Sequence, residues 1–196
     1  MATGTVKVAV STGANRQAFE DVAVTKGPTG LGSAIINSII DYLADGLQTV
    51  GTMLIGTDPV KFQTTTTAVY RIAGITYAKV ATDALVFTDA DTVNNAGAAT
   101  TDHWGAWLVE IGTDLAVHTK HATYTSGTDL DYATEAAAIA ALPAVTASHV
   151  RLGYITVQSK AAKWTAKTDD LTPTSDCTTA KYYDLPAPAA LPAKIS

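Results

Sequence analysis

Cysteine is nearly absent from this chain: Cys177 stands alone among 196 residues. A single thiol excludes an intramolecular disulfide and a thiolate metal cluster, and it suits assembly in a reducing cytoplasm. Charge is scarce as well. Asp, Glu, Lys and Arg make up 16% of the residues, against roughly 25% in an ordinary soluble domain. Ala and Thr fill much of the difference. A surface so weakly charged is expected to be covered in large part by other subunits. The net charge of −5 comes without any Lys/Arg cluster. That argues against nucleic acid as a partner, because neutralising phosphates takes a basic stripe. No run reaches the roughly 18 apolar residues of a membrane span. The first residues also lack the basic and apolar regions of a signal peptide, so no membrane association is expected.

The signatures of chemistry are missing too. There is no phosphate-binding Gly loop, dinucleotide fingerprint, Gly-x-Ser-x-Gly elbow or His-Glu-x-x-His, and no catalytic residue, metal ligand or cofactor is assigned. Of the four histidines, His103, His118, His121 and His149, only His118 and His121 are close in sequence. On a strand, residues three apart face opposite sides, so that pair cannot share a metal without a bulge. Asp129, Asp131 and Glu135 could supply oxygen ligands to calcium, but helix capping by Asp131 and dipole compensation by Glu135 explain two of them without an ion. Asp169-Asp170 reads as a solvated turn rather than an acid/base pair.

The most legible pattern runs from Trp104 to Val157. Gly105 to Ile111 alternates, with Trp107, Val109 and Ile111 on one side and Leu108 and Glu110 on the other. A turn at Gly112-Thr113-Asp114 and a second alternating run, Leu115 to Tyr124, predict an antiparallel hairpin. Asp131 as N-cap, the helix formers Ala133 to Leu142 and the stop at Pro143 predict a short helix. Val150 to Val157 returns as a strand, with Val150, Leu152, Tyr154 and Thr156 on one face. The order of a Gly-Ala-Trp-Leu-Val-Glu-Ile strand, an Ala-rich helix ending Ala-Ala-Leu-Pro, a Leu-Gly-Tyr-Ile-Thr-Val strand, and then Lys167-Thr168-Asp169-Asp170-Leu171-Thr172 resembles structural proteins of tailed-bacteriophage virions. The resemblance covers roughly residues 70 to 185 and lies in texture and order, not in a catalytic signature. It implies a non-enzymatic virion protein assembled in the host cytoplasm: a capsid decoration, cement or head-fibre subunit contacting capsid or other virion proteins. A receptor- or glycan-binding module of a tail fibre is the alternative. Trp104, Trp107, Trp164 and the tyrosines at 70, 77, 124, 154, 182 and 183 could form a sugar-stacking platform for host glycan, although aromatics on pleated surfaces mostly pack into cores.

The rest of the chain divides around that pattern. Residues 51–184 are expected to form a mainly β domain, an antiparallel β-sandwich or barrel-like sheet with the one short inserted helix. Within it, Ala68 to Ile72 and Ile75 to Val80 flank Ala73-Gly74, which fits a hairpin with a two-residue turn. Residues 1–50 read as an N-terminal arm followed by a helix. Ile36, Ile40, Leu43, Leu47 and Val50 recur at spacings of 4, 3, 4 and 3, a heptad seam compatible with a homotrimer; the same stripe also fits a helix packed on its own core, and Gly46 weakens it. The arm carries Val6, Val8 and Val10. The tail of residues 185–196, with three prolines, carries Leu185, Leu191 and Ile195. Neither end can build its own core, so these six residues are expected to mediate attachment to the virion.

Overall fold

The computed structural model describes residues 4–8, 19–24, 45–93, 103–125, 127, 129–160 and 163–185. Two strands open the chain, β1 (Gly4–Val8) and β2 (Phe19–Val24), paired antiparallel with a register shift between Val6 and Val8. Thirteen further strands follow: β3 (Gly46–Thr49), β4 (Met53–Ile55), β5 (Phe62–Thr64), β6 (Ala68–Ile72), β7 (Ile75–Lys79), β8 (Thr82–Leu85), β9 (Thr92–Val93), β10 (Trp104–Gly112), β11 (Val117–His121), β12 (Asp129–Leu130), β13 (His149–Ser159), β14 (Trp164–Thr165) and β15 (Cys177–Asp184). The helix α1 (Glu135–Ala140) sits between β12 and β13. Among the described residues the fold is mainly β with one short helix inserted between strands, as expected of the β domain. The four-stranded and three-stranded sheets share one core, and among the described residues none closes into a barrel. No described helix is long and apolar enough to cross a membrane.

The largest sheet runs β11-β10-β13-β15, antiparallel throughout. Three three-stranded sheets, β3-β6-β7, β4-β5-β8 and β12-β9-β14, supply the rest of the domain. Alternation on β10 places Trp107, Val109 and Ile111 on the face that joins the common core, and all three are fully buried. There Trp107, Phe87 and Trp164 meet edge to face, with centroids 5.2 to 5.8 Å apart, and Phe62 lies 5.5 Å from Phe87. These rings come from four separate parts of the chain, so burying them ties the sheets together. Each polar edge finds an acceptor: Trp107 Nε1 donates to Asp91 at 3.0 Å, Trp164 Nε1 to the Asp170 carbonyl at 2.9 Å, and Tyr70 OH to the Gly112 carbonyl at 2.7 Å. Buried indoles and phenols need such partners.

The other face of the large sheet is covered by α1 and the segment that leaves it, so Leu108 and Glu110 are buried too. A bulge corrects the expected arrangement of β13. Opposite Val109 and Glu110 stand Gly153 and Arg151, with Leu152 as the extra residue. One inserted residue moves everything after it to the other face. Val150 therefore opposes Ile111 on the Trp107 face, while Tyr154 and Thr156 oppose Leu108 and Ala106 on the helix face. The helix is shorter than expected and is capped by Thr134, whose Oγ1 accepts from the Ala137 N–H at 3.2 Å. Asp131 is instead paired with His103.

The helix expected to run to Val50 is corrected at its C-terminal end. Gly46 has φ +145° and Leu47 lies on β3 opposite Tyr70, buried in the chain's own core; Val50 packs against that core. Neither residue is on a helical seam. Asp45 also joins these strands, its carboxylate accepting from the Ala73 and Gly74 N–H groups at 2.8 and 2.9 Å. The hairpin around Ala73-Gly74 is as expected, with Ile72 opposite Ile75 and both turn residues at positive φ.

Candidate functional site

The helix face of the large sheet carries the densest partly exposed set of aromatic and charged side chains. Residues opposed across an antiparallel sheet share a face, so Ala106, Thr156 and Lys181 form one row and Leu108, Tyr154 and Tyr183 the next. Tyr154 and Tyr183 stack with centroids 4.6 Å apart. Lys181 Nζ lies 4.8 Å from the Trp104 ring, within cation–π range. Glu135, at the start of α1, joins these strands: its Oε1 accepts from Thr156 Oγ1 at 2.7 Å and Tyr183 OH at 2.8 Å, and its Oε2 from Lys181 Nζ at 2.6 Å. Burial pushes the Glu135 carboxyl up, but the hydrogen bonds from Lys181, Thr156 and Tyr183 outweigh it and hold the group below the ordinary carboxylate range. The Tyr183 phenol is pushed up to about 12 by burial and by that same carboxylate. Glu135 was expected to balance the helix dipole; its larger role is as a strut between helix and sheet.

Two other carboxylates, Asp91 and Glu110, are buried and committed to the fold. Asp91 accepts from Trp107 Nε1 and, at 2.6 Å, from Tyr124 OH, and this bond together with burial lifts the Tyr124 phenol to about 12. Glu110 accepts from the Thr146 N–H at 2.8 Å and Thr146 Oγ1 at 2.5 Å, pinning the segment after α1. The Asp169-Asp170 turn closes on β14, with Asp169 Oδ2 accepting from the Thr165 N–H at 2.7 Å. The structure separates Asp131 and Glu135, one facing His103 and the other Lys181. His118 and His121 are likewise apart: His118 lies beside His149 and 3.7 Å from Asp114, whereas His121 stacks on Tyr124. Among the described residues no group of three or more His, Cys, Asp or Glu is placed to hold a metal ion. Cys177 is buried, and its thiol is pushed up to about 11 by that burial.

Of the aromatics considered as a sugar platform, Trp107, Trp164 and Tyr70 are core residues, whereas Trp104, Tyr154 and Tyr183 come together half-buried on the helix face. Nothing in the sequence pattern singled out that trio, because the pairing of β10, β13 and β15 decides which residues share the face. Of the proposed interface, Leu47 and Val50 belong to the β domain, and Ile36, Ile40 and Leu43 lie outside the described residues. Of the proposed attachment set, Val6 and Val8 lie on β1, within a hairpin rather than a lone extended arm. Leu185 packs partly against the core and its N–H donates to the Leu152 carbonyl at 3.0 Å, so it continues the domain. Val10, Leu191 and Ile195 lie outside the described residues. Comparison of the chain with protein-family models, curated proteins and solved structures found no match.

Proposed function

We propose that the protein is a non-enzymatic structural subunit of a tailed-bacteriophage virion, of the capsid-decoration, cement or head-fibre kind. The observation that carries this reading is the use made of its buried and half-buried acids. Asp91 and Glu135 each hold donors from two or more distant residues, and Glu110 holds both the N–H and the hydroxyl of Thr146. Groups that could otherwise activate a substrate are spent on holding a weakly charged β domain together. That is the economy of a packing module, and it agrees with the resemblance in strand order and texture. Attachment falls to what flanks the β domain, the β1-β2 hairpin with its valines and the Pro/Ala-rich tail, and trimerisation to Ile36, Ile40 and Leu43.

Antibody labelling of virions made by the phage encoding this chain tests the reading. Many copies on the head are expected, and removal of residues 1–24 should release the protein from the head while leaving residues 45–185 folded. Absence from the particle refutes it. The half-buried Trp104, Tyr154 and Tyr183 beside Lys181 favour one second reading, a glycan-binding fibre module. Few copies confined to the tail, with host-glycan binding abolished by Trp104→Ala, would decide for it.

A further inference from the structure

We propose that strand β7 is a pairing edge for a second copy of this chain, joined antiparallel about Tyr77 so that two β3-β6-β7 sheets become one six-stranded sheet. Among the described residues the edge is open: in the order β3-β6-β7 the last strand has no further neighbour. The two-residue turn makes Ile72/Ile75 the closing hydrogen-bonded pair, and such pairs alternate along an antiparallel ladder. Ile75, Tyr77 and Lys79 therefore point their backbone groups at β6. Thr76 and Ala78 present theirs to the outside.

Proteins that stay apart protect such edges with bulges, charges, short strands or covering segments. Among the described residues the other edges have these protections. β3 and β8 carry register shifts, and β8 also holds Ala84 at φ 62°. β11 bears His118, Lys120 and His121, and its Thr119 N–H is taken by Thr88 Oγ1 at 2.8 Å. β15 has a shift near Cys177 and meets β4 at its other end, where the Met53 N–H donates to Asp184 at 2.9 Å. β4 has three residues; β12 and β14 have two each. β7, like β11, keeps a five-residue register without a shift, but it has no proline and only one charge, and is flanked by exposed apolar residues, Ile75 at 49% and Val80 at 67%.

The charge pattern selects the occupant and the register. With Tyr77 opposite Tyr77 of the second copy, Thr76 and Ala78 exchange their free backbone bonds across the two-fold axis. Ile75 then faces Lys79, so the only charge on the strand meets an apolar side chain and its own long stem packs there. Two lysines never oppose each other, which would be unfavourable. A strand of this length buries less than the roughly 1,200 Å² of a stable interface, so the pairing is concentration-dependent.

Disulfide trapping in the full chain tests this register. Opposed residues of a non-hydrogen-bonded pair have Cα atoms about 4.5 Å apart, inside the roughly 4.4–6.8 Å that a disulfide spans. Tyr77→Cys should give a covalent dimer under mild oxidation and Lys79→Cys should not, while Cys177 stays buried. If Tyr77→Cys misfolds, the Ile75→Cys/Lys79→Cys double variant takes its place and should link where each single change does not. In sedimentation, Ala78→Pro removes an outward N–H and should lower the assembled mass, whatever other contacts hold copies together. A wild-type mass that Ala78→Pro leaves unchanged, or equal linking by Tyr77→Cys and Lys79→Cys, overturns the proposal.

Discussion

Replacing Glu135 by Ala removes the acceptor that fastens α1 to the large sheet, and its cost can be worked from the bonds it makes. A helix of six residues has no stability of its own in water, so α1 holds its place through Ala138, which is fully buried, and through Glu135. Thr156 is also fully buried, and stranding its hydroxyl costs about 1–3 kcal/mol. The Tyr183 bond adds about 1 kcal/mol. The Lys181 ion pair is discounted to at most about 1 kcal/mol, since the lysine side chain is 43% exposed and screened by solvent. Because these bonds share one carboxylate they are not additive, and the expected loss for Glu135→Ala is roughly 2–4 kcal/mol in urea unfolding at pH 7. Glu135→Gln keeps an acceptor for Thr156 and Tyr183 and should lose less, and Lys181→Met should lose about 1 kcal/mol or under. The pH dependence has a fixed sign. The folded carboxyl titrates below its unfolded value of 4.5, so its contribution is full above that value and fades as pH falls through the lower, folded one. The gap between wild type and Glu135→Ala should therefore narrow in acid. If Glu135→Ala matches wild type at pH 7, or if Lys181→Met costs as much as Glu135→Ala, the strut reading is wrong.

Three other changes probe separate parts of the fold. Asp91→Ala strands Trp107 Nε1 and Tyr124 OH together and should cost roughly 2–5 kcal/mol; spectrophotometric titration should show the Tyr124 phenol dropping from about 12 toward its ordinary value. Gly153→Ala would set a Cβ 2.1 Å from the Tyr183 carbonyl oxygen and 2.5 Å from Met53 Cε. The first neighbour is backbone and cannot rotate away, so a loss at or above the usual overpacking cost of about 1–3 kcal/mol is expected, and a variant as stable as wild type would contradict the close approach of β13 and β15. Ala73→Gly relieves a residue held at φ 50° in the β6-β7 turn and should gain about 0.5–1 kcal/mol, read as a melting temperature higher by roughly 1–4 °C.

What the sequence made legible was local. The Ala73-Gly74 turn, the β10-β11 hairpin and the stop at Pro143 are set by residues within a few positions of one another, and each is found where its pattern lies. Errors came where distant contacts decide. The 4-3-4-3 spacing through Leu47 and Val50 mimics a helix stripe, but Gly46 breaks it, and Tyr70 across the sheet gives Leu47 a strand partner. β2 escaped notice because Glu20 and Asp21 interrupt its alternation. Asp131 resembles a cap, yet His103, some thirty residues earlier, takes it and leaves Thr134 at the helix start. The role of Glu135 depends on Thr156, Lys181 and Tyr183 sharing a face, which the pairing of β13 with β15 arranges.

The Met53–Asp184 hydrogen bond has a mechanical meaning. This bond, with the contact between β4 and β15, stitches the strand that follows β3 to the end of β15. Tension applied between the flanking segments is shunted across that short bridge once the four residues of β3 give way. The aromatic cluster of Phe62, Phe87, Trp107 and Trp164 lies off the line of load. For a subunit in the proposed virion role, a pull on its two ends would load that bridge before it loaded the aromatic cluster.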